Sequence, residues 1–161
     1  MEFNLAITLE HDFVREPIRT SVVLNDAVLY KGKLTEKVLE FTCEAKNENS
    51  LKIFLHNKSP NDTVVDQQNN IIKDTFIKVK AIQIDKRSLK FAINDLGHIK
   101  YDTGEIAKNS TYLSKNGYYE IKFDLPIKNF LQRYYSKWDK YKVIDTEKEI
   151  KSIDKFLESI K

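Results

Sequence analysis

One cysteine, Cys43, is all the chain contains, so neither an intramolecular disulfide framework nor a multi-cysteine zinc site can form. Four glycines and three prolines exclude collagen-like, glycine-linker and proline-rich recognition sequences. Gly32, Gly97, Gly104 and Gly117 never cluster as a phosphate-cradling loop requires, which argues against nucleotide chemistry. No apolar run approaches the ~20 residues of a membrane-spanning helix. Charge of one sign is also lacking: Lys+Arg 27 against Asp+Glu 24 leaves +3, too even for an electrostatic binder of nucleic acid or membrane. The start, Met1-Glu2-Phe3-Asn4, lacks the basic and apolar regions of a secretory signal, so the expected setting is a reducing cytoplasm or an assembly made there.

What the 161 residues do contain is enough apolar material for a core, 41%, and enough charged residues, 32%, to solvate its surface. Its first two thirds alternate with a period of two. Phe3, Leu5, Ile7 and Leu9 face one side, and Leu39, Phe41 and Cys43 share another such face. Leu51, Ile53 and Leu55 alternate with Lys52, Phe54 and His56. Asn25-Asp26 separates two strands and tolerates the positive φ of a tight hairpin, and Asp66 to Asn70 marks a second hairpin. From Phe76 to Asp85 the phase changes between Ile77/Val79 and Ile82/Ile84, which predicts a bulge near Ala81. Leu89, Phe91 and Ile93 extend the sheet. Asn94 to Ser114 is a polar excursion with a short strand at Ile99-Lys100-Tyr101, and Tyr119, Ile121 and Phe123 form the last strand. The expected fold is mainly β, a jelly-roll-like β-sandwich over 1–125.

Beyond Pro126 the period lengthens. Ile127, Phe130, Leu131 and Tyr134 form one helical stripe. Thr146 and Glu149 have capping-box spacing ahead of a second stripe, Ile150, Ile153, Leu157 and Ile160. Residues 126–161 are therefore expected to form a C-terminal helical appendage, which either folds back or docks into a neighbouring subunit.

Catalytic arrangements are sparse. Cys43 and His56 are a nucleophile and base that neighbouring strands could align, set against the usual state of a buried cysteine as an inert hydrophobe. His11, His56 and His98 lack metal-ligand spacing and read as isolated surface residues. The polar region 57–85 carries Asp62, Asp66, Asp74 and Asp85, oxygen donors of the type calcium takes, although Asn and Asp equally make turns. Tyr118-Tyr119 and the group Tyr134, Tyr135, Trp138 and Tyr141 offer surfaces for stacking on sugar or for protein contact.

A family resemblance rests on an ordered series of segments. Val23-Leu24-Asn25-Asp26 is followed by Asn49-Ser50-Leu51-Lys52-Ile53 with Asn57-Lys58, then Asn61-Asp62-Thr63, Asp66 and Asn69-Asn70-Ile71-Ile72. Asp74 then precedes the long run to Ile84-Asp85. This order resembles calcium-dependent xylan-binding carbohydrate modules. With Asn116-Gly117-Tyr118-Tyr119 and Pro126-Ile127 it is more similar to small β-sandwich virion proteins of marine tailed phages, which share that core. The resemblance implies a non-enzymatic structural protein of a phage virion, associated with tail, neck, baseplate or capsid and made in the host cytoplasm. In that setting, copies assemble with other virion proteins through Tyr134, Tyr135, Trp138, Ile150, Ile153, Leu157 and Ile160. The alternative it implies is a carbohydrate-binding module that recognises host or environmental polysaccharide with calcium, for which the polar region itself offers Asp62, Asp66, Asp74 and Asp85. Neither reading involves nucleic acid or a membrane.

Overall fold

The structure, a computed structural model, describes residues 2–137. The chain divides into two compact units, Met1–Ile127 and Lys128–Lys161. The first is built almost entirely of antiparallel strands, and its two main sheets pack as a sandwich.

One sheet is centred on β1 (Glu2–Asp12), flanked by β4 (Val38–Glu44) and β8 (Phe76–Ile84). The short strands β9 (Arg87–Ser88) and β12 (Tyr112–Leu113) pair with opposite ends of β8. The second sheet has the order β11 (Ile106–Lys108), β10 (His98–Tyr101), β13 (Gly117–Asp124), β5 (Glu48–His56), β2 (Arg19–Leu24) and β3 (Ala27–Lys33). A separate hairpin pairs β6 (Thr63–Val65) with β7 (Ile71–Asp74).

The period-two alternation explains the layers. Phe3, Leu5, Ile7 and Leu9 of β1 are buried, and so are Leu51, Ile53 and Leu55 of β5 and Tyr119, Ile121 and Phe123 of β13. Fully burying each such side chain is worth about 1.5–3 kcal/mol, so these rows fix which side of each sheet faces inward. Phe3 meets Phe123 edge-on across the two sheets, with ring centroids 6.1 Å apart and planes at 85°. Cys43 is buried on the same inner face.

Local signals set the connections. Asn25 and Asp26 adopt φ 48° and 70° and close the β2–β3 hairpin. On β8 the register jumps from Thr8↔Ala81 to Leu9↔Val79, leaving Lys80 as the extra residue of a bulge. That bulge restores Ile82 and Ile84 to the core after the phase change. Gly97 is required by close approach: a Cβ there would lie 2.3 Å from the Tyr119 hydroxyl, which donates to the Ile93 carbonyl at 2.7 Å.

One stretch departs from expectation. Leu89, Phe91 and Ile93 do not extend the sheet; the chain turns through Asp85 and Lys86, both at positive φ, and forms the short helix α1 (Ala92–Asp95). Burial follows Leu89, Ala92 and Ile93, a helical spacing, and Phe91 is 67% exposed. The polar excursion is also richer than expected, since it supplies β11 and β12 as well as β10. After β13 the Leu125–Pro126 bond is cis, and a helix runs over 127–137.

Candidate functional site

The four aspartates proposed as calcium ligands occupy three different places. Asp85 follows β8, where its carboxylate accepts the Asn4 amide at 2.9 Å. Asp74 precedes β8, so a nine-residue strand, on the order of 30 Å long, separates the two. Asp66 sits at the tip of the β6–β7 hairpin and is consumed by the turn: Oδ1 accepts the Gln68 and Asn70 amides, and Oδ2 accepts Asn70 Nδ2.

Asp62 and Asp74 are closer in the fold, since Thr63 pairs with Asp74 and the Thr75 amide donates to the Asp62 carbonyl at 2.9 Å. Each already faces a cation. Arg15 Nε donates to Asp62 Oδ1 at 3.0 Å, and the Ser59 amide and hydroxyl both donate to Oδ2. These contacts, the Arg15 hydrogen bond foremost, hold the Asp62 carboxyl below the usual carboxylate range. Lys58 Nζ donates to Asp74 Oδ1 and to the Ser114 carbonyl, both at 2.5 Å, and Thr63 adds a 2.6 Å bond to the same carboxylate oxygen. Lys58 and Asp74 are only 9% and 11% exposed. Among the described residues no group of three or more His, Cys, Asp or Glu side chains comes together to hold a metal. The four aspartates are therefore not gathered into one donor set, and Asp62 and Asp74 already neutralise protein cations.

A different surface gathers chemistry. Because Leu51, Ile53 and Leu55 point inward, Lys52, Phe54 and His56 stand on the outer face of the six-stranded sheet. The Phe54 and His56 rings stack at 5.3 Å and 9°, and the Tyr118 ring of β13 lies 5.0 Å from Phe54 at 44°. Register makes this a continuous row: Lys100, Tyr118, Phe54, Ser21 and Lys31 are successive cross-strand partners over five strands. Beside the rings an open groove of about 770 Å³ is lined by Phe54, His56, Ser21, Val28, Lys31 and Asn57 among others. Its size is that of a small-ligand site.

His56 is held by both neighbours, stacked on Phe54 and hydrogen-bonded through Nε2 to Ser21 Oγ at 3.0 Å. Burial lowers its pKa, the Asp102 carboxylate opposes that shift and Lys31 adds to it, so the imidazole is neutral at pH 7. A serine–histidine hydrogen bond is one element of nucleophilic catalysis. Here Ser21 lies within a strand flanked on both sides, so the neighbouring backbone amides serve the ladders with β3 and β5. Those amides are thus not free to hold an oxyanion.

Cys43 and His56 are not brought together: Cys43 faces the core from β4, whereas His56 stands on the outer face of the other sheet. The histidines are also not isolated. His98 Nε2 lies 3.3 Å from Glu120 Oε2, and His11 stacks on Phe13 at 4.9 Å. Of the seven proposed partner-binding residues, Tyr134 and Tyr135 lie on the 127–137 helix, with rings edge-on at 5.2 Å. Trp138, Ile150, Ile153, Leu157 and Ile160 lie outside the described residues. Sequence reasoning noted Tyr118, weighed His56 only as a base for Cys43, and missed Phe54, whose signal was its off-phase position with His56 in a strong period-two strand.

No protein-family model matches the chain, and no curated protein sequence does. Two solved structures are similar in fold. One, described as vCBM60 in a study of two families of calcium-dependent carbohydrate-binding modules, is 11% identical. The alignment covers 74% of this chain and 89% of that one, with a TM-score of 0.49. The other, vCBM60 in complex with galactobiose, is 14% identical over 75% of this chain and 97% of that one, with a TM-score of 0.46.

The ionic contacts generate a pH prediction. The lowered Asp62 pKa gives stability that is fully present above its unfolded value near ~4 and is lost as pH falls through the folded value. Denaturation measured from pH 7 to 2 is expected to show this acid loss, and Arg15→Gln is expected to reduce it. An unchanged acid profile in Arg15→Gln contradicts the coupling.

Proposed function

We propose that the protein is a non-catalytic carbohydrate-binding module whose ligand lies along the outer face of the six-stranded sheet. One observation supports this reading: Phe54, His56 and Tyr118 form a ring row on adjacent strands beside a groove that also presents Ser21, Lys31 and Asn57. A sugar has apolar C–H faces and a hydroxyl rim. Aromatic side chains that bring broad apolar area at low entropic cost suit the first, and hydroxyl, amide and ammonium groups suit the second. The side chains are fixed before a ligand arrives, Phe54 between two rings and His56 by Ser21, which lowers the ordering cost of binding.

Calcium has no part in this proposal, because Asp62 and Asp74 are engaged by Arg15 and Lys58. Affinity electrophoresis through polysaccharide gels tests the reading. Phe54→Ala and Tyr118→Ala are expected to weaken retention at least tenfold, about 1.4 kcal/mol each. EDTA is expected to leave retention and the thermal midpoint unchanged. Retention that survives both alanine substitutions, or that disappears with EDTA, counts against the proposal.

A second reading, assembly with other protein chains, rests on a separate observation. The β6–β7 hairpin exposes Val64, Val65, Ile71 and Ile72, the last two by 65% and 66%. On this reading the full chain sediments as an oligomer and Ile71→Lys with Ile72→Lys sediments as a monomer. Wild-type protein that is monomeric at high concentration removes that support.

A further inference from the structure

We propose that the ligand of the aromatic face is a polyanionic glycan, one carrying carboxylate or sulfate groups, rather than a neutral one. This rests on the carbohydrate-binding reading and adds the charge of the ligand to it.

The whole-chain charge of +3 conceals an uneven distribution. On the outer face of the six-stranded sheet, Lys100 and Lys31 end the row that contains Tyr118, Phe54 and Ser21. Lys52 reaches over Tyr118 with its ammonium 5.5 Å from the ring centroid. Arg19 and Lys33 border the groove beside His56. The aromatic strip is thus bracketed by cations along both of its axes.

Acids on this face are Glu120 beside the aromatic strip and the cross-strand pair Glu48 and Asp124 at the far end of β5 and β13. Glu120, cross-strand neighbour of Lys52, accepts the Ser50 hydroxyl on Oε1 at 2.6 Å, and its Oε2 lies 3.3 Å from His98 Nε2. Glu16 is held by Lys33 at 2.8 Å. Asp102 is a further carboxylate, near His56. The outer face of the other sheet carries more acid: Glu2, Glu10, Asp12, Glu40 and Glu44 are exposed there on β1 and β4, against Lys78 opposite Glu10, Lys80 bound to Glu10 and Lys73 near Asp12. The outer face of the six-stranded sheet is therefore the more basic of the two around the rings, where Lys31, Lys52 and Lys100 stand. Lysines that stay solvated on a sheet surface add little to fold stability, but they raise the local concentration and on-rate of an anionic chain.

A glycan array carrying neutral, uronate and sulfated glycans, read alongside a single-stranded oligothymidylate, tests the inference. The expected result is preference for uronate or sulfated glycans, with the two arms showing which group is read. Calorimetry on the bound glycan should then show at least a tenfold loss in the double variant Lys31→Gln, Lys52→Gln. Binding should weaken with added salt, as screened charges require. Lys80→Gln, on the opposite sheet, should bind as wild type, and circular dichroism should show the same fold in all three proteins. Binding of neutral glycans alone, lost in Phe54→Ala, overturns the anion inference and leaves the carbohydrate-binding reading standing. Binding of no glycan, or preference for the oligothymidylate, overturns both.

Discussion

The alternation of β5 is the constraint on which the rest of the structure depends. This strand lies inside the six-stranded sheet, paired with β13 on one side and β2 on the other. Leu51, Ile53 and Leu55 are buried almost completely, so a one-residue slip would expose all three and carry Lys52, Phe54 and His56 into the core. Burial of the inner row therefore also positions the outer one. Because the pairings with β13 and β2 are fixed by the same core, Tyr118 arrives beside Phe54, and Ser21 beside both Phe54 and His56. A ring platform of this kind needs no loop to close over it, since ladders on both sides hold the backbone beneath it.

Buried charge plays a different part. Lys58 ties three segments together, its own loop, the β6–β7 hairpin through Asp74, and the turn before β13 through Ser114. Asn116 completes the junction by exchanging hydrogen bonds with the Lys58 backbone, at 2.7 and 2.9 Å. An ammonium group here does what a bound cation does in other loop clusters: it gathers carboxylate and carbonyl oxygens. Breaking such a buried pair from one side leaves an uncompensated charge, so the junction resists loss of either partner. Asp62 has a similar relation to Arg15, nearer the solvent.

Much of the fold was legible because its signals are local. Asn25-Asp26 announced a hairpin through its tolerance of positive φ, and the phase change along β8 located the bulge to within a residue. The segment after β8 misled because Leu89 and Ile93 fit both alternation and helical spacing; the exposure of Phe91 and burial of Ala92 decide for the turn and helix. The site was less legible. Aspartates in turn sequences look alike whether they hold a metal, cap a turn or meet an arginine, and the choice depends on Arg15 and Lys58, which sequence reading did not connect to them. The aromatic row depends on pairing between strands distant in the chain, so Phe54 and Tyr118 could not be seen as neighbours. Charge was misleading in the same way, because an even total says nothing of how two sheet faces divide it.

The most direct measurement is an amide chemical-shift titration of the full chain with an oligosaccharide that binds on the array. If ligand lies along the outer face of the six-stranded sheet, the largest shifts will fall on 52–56 of β5 and 117–120 of β13, with smaller ones on β2 and β3. Shifts concentrated instead on the β6–β7 hairpin or on the outer strands of the other sheet would contradict the account.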